Sequence, residues 1–137
     1  MERTTVPANG RTAFRPPVHV LVVDDHRLLR QELRNMLGFS REFTVVGEAV
    51  DGTQACELAQ QLQPDVILMD IHMPKMNGID ATRWIKTRLP HIMIIGLSVN
   101  TSGAAAHDMK AAGASAYLSK EIAPEDLCQA IYSAMTK

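Results

Sequence analysis

From Val18 onward, short apolar runs alternate five times with longer stretches of helical period, and few architectures accept that order. Val18 to Val23 is β-branched and apolar and is halted by Asp24-Asp25, the pattern of a parallel strand buried on both faces. Leu29, Leu33, Met36 and Leu37 then fall at i, i+4, i+7 and i+8, the stripe of an amphipathic helix. Further strands are predicted over residues 43–49, 66–69, 92–97 and 116–118, and helices over 55–62, 79–89, 102–112 and from 124 onward. Pro64, Pro90 and Gly113 supply helix stops, while Pro124 followed by Glu125 and Asp126 makes a favourable first turn. Strict alternation of this kind implies right-handed crossovers and an open, doubly wound α/β domain: a five-stranded parallel sheet covered by helices on both faces. Ligands of such sheets bind beyond the carboxyl ends of the strands, where the strand order reverses.

The 137 residues, 46% of them hydrophobic, fit one compact domain and leave no room for a second of full size. Lys and Arg number 14 against 15 Asp and Glu, so no overall basic field argues for nucleic-acid binding by this chain. Residues 1–17 lack periodicity, carry Arg3, Arg11 and Arg15 against Glu2, and end in Pro16-Pro17; they read as a flexible extension ahead of a domain over 18–137. That extension masks an acidic domain of eleven bases and fourteen acids. No apolar run approaches the ~20 residues of a membrane span, and the N-terminus has no secretory pattern, so a cytoplasmic location is expected. Cys56 and Cys128 are isolated and read as reduced thiols.

The chemistry sits at the predicted strand ends. Strand one ends in Asp24-Asp25, strand three in Asp70, strand four in Ser98 and strand five in Lys120. Polar residues often end strands merely because the chain turns there, so no one of these is informative alone; the set is. Three carboxylates at one edge repel one another unless a cation offsets them, and Mg²⁺, which keeps open positions for phosphate oxygens, fits oxygen donors. Lys120 and Ser98 supply a point charge and a hydroxyl donor suited to a phosphoryl oxygen. The loop after strand one has neither a GxGxxG pattern nor a Walker lysine, which disfavours nucleotide binding.

Val-Val-Asp24-Asp25-His, Leu-Met-Asp70-Ile-His-Met-Pro74-Lys-Met-Asn-Gly78, Leu-Ser98-Val and Tyr117-Leu-Ser-Lys120 together resemble the CheY-like receiver domain of two-component response regulators. The wording around Asp70 and the Gly-Ala-x-x-Tyr-Leu-x-Lys stretch most resemble the NarL/FixJ subfamily, whose full-length members carry a LuxR-type DNA-binding output domain. The resemblance implies a flavodoxin-like (βα)5 fold with strand order 2-1-3-4-5. It makes Asp70 the acceptor of a phosphoryl group from a phosphohistidine of a sensor histidine kinase. Mg²⁺ would be held by Asp25 directly, by Asp24 mainly through water, by Asp70, and by the backbone carbonyl of His72. Lys120 would pair with the phosphoryl group, Ser98 would move in to hydrogen-bond it, and Tyr117 would occupy the space so opened, carrying the change to the outer surface around helix four and strand five. Pro74 and Gly78 would shape the loop after the acceptor. A homodimer formed on phosphorylation is among the partners the resemblance allows, and DNA would be reached only through an output module absent from this chain.

Two alternatives stand beside this one. A stand-alone or hybrid-kinase receiver would act by protein contact alone. An aspartyl-phosphate phosphatase would be a true enzyme, but it typically needs a second acid two residues after the nucleophile, where this chain has His72. Among lesser features, His26 is expected at the site rim, and Trp84 projects away from the Ile79, Thr82, Ile85 and Leu89 side of its helix, either as an exposed anchor for a partner or lying flat over neighbouring long side chains. Val99 is bulky where many receivers have a smaller residue, and Ala123 is a poor helix N-cap.

Overall fold

The computed structural model describes residues 17–99 and 103–136. The extension predicted over residues 1–17 falls almost wholly outside the described residues, as does Ser102, the predicted start of the fourth helix. The elements run β1 (Val18–Val23), α1 (Arg27–Gly38), β2 (Phe43–Ala49), α2 (Gly52–Leu62), β3 (Val66–Asp70), α3 (Gly78–Arg88), β4 (Met93–Ser98), α4 (Gly103–Ala112), β5 (Ala116–Ser119) and α5 (Pro124–Met135). All strand pairs are parallel and the sheet order is β2-β1-β3-β4-β5, the order expected from the sequence.

The two-residue period of the central strands divides the core. Val20, Val22, Leu68, Ile95 and Leu97 pack with Leu33 and Leu37 of α1 and Leu127 and Ile131 of α5. Leu21, Val23, Ile67, Met69 and Ile94 face the other way, onto Ala55 and Ala59 of α2, Ala81 and Ile85 of α3 and Met109 of α4. Because β1 and β3 are sandwiched between these layers, they are apolar on both faces until the chain reaches Asp24 and Asp70, apart from exposed His19 at the start of β1. Strand β2 carries a bulge: Val20 pairs with Val45 but Leu21 pairs with Gly47.

On the third helix Trp84 is covered rather than free: it is half-buried and packs against the core, with the Arg88 guanidinium 4.3 Å from its ring centroid, as the reading of a ring lying over long neighbouring side chains expects. Helix α3 is flanked by both α2 and α4, so its covered arc is wider than the single stripe a surface helix needs. Ala123 does cap α5 without any side-chain hydrogen bond, leaving Pro124 to supply a preset first turn.

Candidate functional site

Parallel pairing brings the carboxyl ends of β1, β3, β4 and β5 to one edge, and five of the residues singled out from the sequence meet there. Asp24, Asp70 and Ser98 are buried, at 1%, 2% and 1% exposure, and Asp25 lies at the surface beside them. Lys120 Nζ reaches in to lie 2.9 Å from Asp70 Oδ1 and 2.6 Å from Asp24 Oδ2. Its backbone is pinned by the Lys120 N–H donating to the Ser98 carbonyl at 3.0 Å, so β4 and the acid pair share an anchor.

The electrostatics are unbalanced. Three carboxylates face one ammonium in a largely dry site, and Asp70 Oδ2 is buried with no hydrogen-bond partner. Burial pushes the Asp70 carboxyl above the ordinary aspartate value; the Lys120 hydrogen bond pulls it down, and the charges of Asp24 and Asp25 add to the rise. For Lys120 burial works against the ammonium, but Asp24 and Asp70 outweigh it and hold its pKa above the usual lysine value. Asp24, Asp25, His26 and Asp70 each offer a donor atom within 4.8 Å of the others. An orphaned, buried carboxylate oxygen beside an excess of negative charge is what a hard divalent cation would satisfy, so the residues present fit Mg²⁺.

The loop after β3 is held close to Asp70. The Gly78 N–H donates to the Ile71 carbonyl at 2.8 Å, and a Cβ built at Gly78 would lie only 2.0 Å from the Asp70 carbonyl oxygen. Farther along, the Gly52 N–H donates to the Met76 carbonyl at 2.8 Å, and a Cβ there would meet that oxygen at 2.2 Å. Neither contact leaves room for a methyl group. Gly78→Ala should therefore lower stability by about 1–3 kcal/mol or more through a forced backbone shift, read as a lower urea midpoint at unchanged m-value. A midpoint equal to that of the parent chain would show that the loop yields freely.

Other residues fall around this centre. His72 is exposed, as is Pro74. Tyr117 is half-buried and pairs in register with Gly96 of β4, where a Cβ would lie 3.0 Å from the tyrosine Cδ1 and 2.8 Å from Met109 Cε. The small residue at 96 thus makes the space in which ring and α4 side chain meet.

Two features escaped the sequence reading. Arg30 of α1 donates to the Asp24 carbonyl at 2.9 Å and to Glu48 of β2 at 2.8 Å, tying the acidic turn to the edge strand; Arg34 reinforces it at 3.0 Å from Glu48. The pairs are separated by 18 and 14 residues, so only the neighbouring of α1 and β2 reveals them. The second is His26. Its ring is not merely at the rim: Nδ1 lies 3.0 Å from Asp24 Oδ1 and 3.1 Å from Asp25 Oδ1.

Comparison with known proteins agrees with this geometry. The family model described as response regulator receiver domain matches residues 20–132. The chain is similar to the transcriptional regulatory protein DegU of Brevibacillus brevis, 39% identical over 114 residues that make up 83% of this chain and 48% of that protein. It is 36% identical over 118 residues to the nitrate/nitrite response regulator NarL of Escherichia coli, covering 86% of this chain and 55% of that one. The chain thus spans about half the length of these curated relatives. Among solved structures, the signal receiver domain of a response regulator described as NarL from Mycobacterium tuberculosis superposes with a TM-score of 0.85 at 30% identity, covering 90% of this chain and all of that one.

Proposed function

The chain belongs to the response regulator receiver family, and we propose that it works as the phosphoacceptor switch of a two-component relay, with Asp70 as the acceptor. The observation that carries this reading is the acceptor's setting: a buried carboxylate with one oxygen 2.9 Å from Lys120 and the other without a partner, at the sheet edge. A carboxylate oxygen of Asp70 attacks phosphorus, the bond from phosphorus to the donor imidazole nitrogen breaks, and its electron pair leaves with that nitrogen. When bound among Asp24, Asp25, Asp70 and the His72 carbonyl, Mg²⁺ would supply charge neutralisation for the incoming oxygens. The protein's own part is positioning. Lys120, already fixed by two carboxylates, holds a cation where phosphoryl charge arrives, and Ser98 places a hydroxyl one strand away.

Phosphorylation then shifts a population. Ser98 drawn toward the phosphoryl group moves the end of β4, and Tyr117, packed at Gly96, responds on the next strand. Residues 18–137 form the receiver, preceded by an extension over 1–17. With a sensor kinase as donor the chain works in the cytoplasm, and no helix among the described residues is long and apolar enough to cross a membrane. Likeness to DegU and NarL supports transcriptional control as the output, exerted through a further module rather than by DNA contact of this domain, with dimerisation on phosphorylation as one route.

The reading is tested by incubating the protein with acetyl phosphate and Mg²⁺. Incorporation should stop at one phosphoryl group per chain, labile as an acyl phosphate, with no sustained turnover of phosphomonoesters. Rapid multiple turnover would instead favour the phosphatase alternative. Val99 directly follows Ser98 at the end of β4 and is 74% exposed. Val99→Ala should therefore speed loss of the phosphoryl group severalfold by admitting water, as measured by decay of the labelled protein. Equal or slower decay would remove Val99 from the account.

A further inference from the structure

We propose that residues 1–16 dock back onto this domain, with the Phe14 ring in the apolar groove between α1 and α5 and with Arg11 and Arg15 against the acids of its rim. The groove is a cleft of about 590 Å³ that continues past Met36 and Phe39 into a second of about 310 Å³. Leu29 and Met36 of α1 form its floor with Ile122, Pro124 and Cys128 around the start of α5, all half-buried, while Phe39 stands 85% exposed at its edge. Covering such a surface recovers free energy in proportion to the apolar area removed from water.

The chain enters the fold beside this groove. The Val18 N–H donates to the Glu42 carbonyl at 2.7 Å, and Val18 pairs with Phe43, whose ring packs on Tyr132 of α5 at 5.3 Å between centroids. Ser40, two residues before Glu42, lines the groove itself. From Phe14 to Val18 an extended chain spans about 14 Å, and from Arg11 about 24 Å, against a length of about 18 Å for α1. Both residues therefore reach it.

Charge selects the occupant. Glu32, Glu121 and Glu125 line the groove, exposed and in no ion pair among the described residues. Lys120, the base that lines it, turns its ammonium inward to Asp24 and Asp70. The floor lies in the same acidic field: burial raises the Cys128 pKa, and the charges of Glu42 and Glu125 add to the rise. An acidic rim around an apolar floor fits a segment in which bases flank an aromatic ring, and residues 11–15 read Arg-Thr-Ala-Phe-Arg. A second copy seated symmetrically would bring the same acids against one another. The tether also gives residues 1–16 an effective concentration in the millimolar range, which a separate partner must exceed.

The contact is read on the full, unphosphorylated chain by nuclear Overhauser effects from the Phe14 ring to the methyl groups of Met36 and Ile122. Mixtures of labelled and unlabelled chains separate contacts within one chain from contacts between two. The inference expects contacts within one chain, their loss in Phe14→Ala and in Arg11→Glu/Arg15→Glu, and their return when the latter pair is combined with Glu32→Lys/Glu125→Lys. Alkylation by iodoacetamide is an independent readout: Cys128 should react about fivefold or more faster in Phe14→Ala than in the parent chain, while buried Cys56 stays protected in both and shows that the fold is intact. Absence of a Phe14 contact, contacts only between chains, a charge reversal that fails to restore them, or equal Cys128 rates in the parent chain and Phe14→Ala overturns the inference.

Discussion

Replacing Asp70 by asparagine should abolish phosphoryl incorporation, a loss of more than about a thousandfold, because the amide lacks the nucleophilic oxygen and the charge that attracts a cation. Label that persists, dependent on Mg²⁺ and mapped to another residue, would sink the assignment. The same variant should also be more stable than the parent chain at neutral pH. Burial, with Asp24 and Asp25 nearby, raises the Asp70 pKa above the ordinary aspartate value of 3.8, so the folded state holds the proton more tightly than the unfolded state does. Stability from this group is complete below the unfolded value and is lost as pH rises through the folded value. The amide of Asp70→Asn has no such titration. The variant should therefore melt a few degrees higher at pH 7, and the gain should vanish as pH falls below the ordinary aspartate range. A constant difference across that range would mean that packing, not charge, separates the two.

How this site came to be legible follows from β geometry. In a parallel sheet every strand runs the same way, so residues that halt apolar runs, Asp24, Asp70, Ser98 and Lys120, must arrive at one edge whatever the helices do. The buried central strands were readable from their unbroken apolar runs, whereas the strand order followed from the resemblance to receiver domains. What escaped depended on contacts between elements. The Trp84 ring is covered because two helices flank α3, which a helical wheel drawn for one neighbour does not contain. His26 faces the acids because a backbone hydrogen bond to Asp24 turns it, and Arg30 reaches Glu48 only because α1 lies over β2. Lys75 takes φ of +65° in the loop after β3, a left-handed conformation that its residue type does not announce. Local pattern thus located the charges, while tertiary contacts decided how they are oriented.

Orientation matters most at Lys120, whose loss should have the largest structural effect. Its ammonium is the nearest cation to both Asp24 and Asp70, and its side chain is only 7% exposed. Lys120→Met preserves most of the apolar stem but leaves two buried carboxylates facing each other, a situation that costs about 3–5 kcal/mol when one partner of a buried pair is removed. The carboxylates should answer by taking up protons, so the variant should be least stable at neutral pH and recover as the solution is acidified. Divalent cation offers another remedy: saturating Mg²⁺ binds the folded site alone and should raise the melting temperature of Lys120→Met more than that of the parent chain. At high pH the order reverses in slope. The Asp24 and Asp70 contacts lift the Lys120 pKa above 10.5, so the stability they give is full below that value and fades as pH rises through the folded value, a loss Lys120→Met cannot show. Phosphoryl transfer should fall about a hundredfold even with Mg²⁺ present, since the metal replaces the charge but not its placement beside the acceptor. Thermal melts with and without Mg²⁺, across pH, separate these effects. A metal-free Lys120→Met protein as stable as the parent at pH 7 would show that the carboxylates need no counter-charge, and the electrostatic account of the site would fall with it.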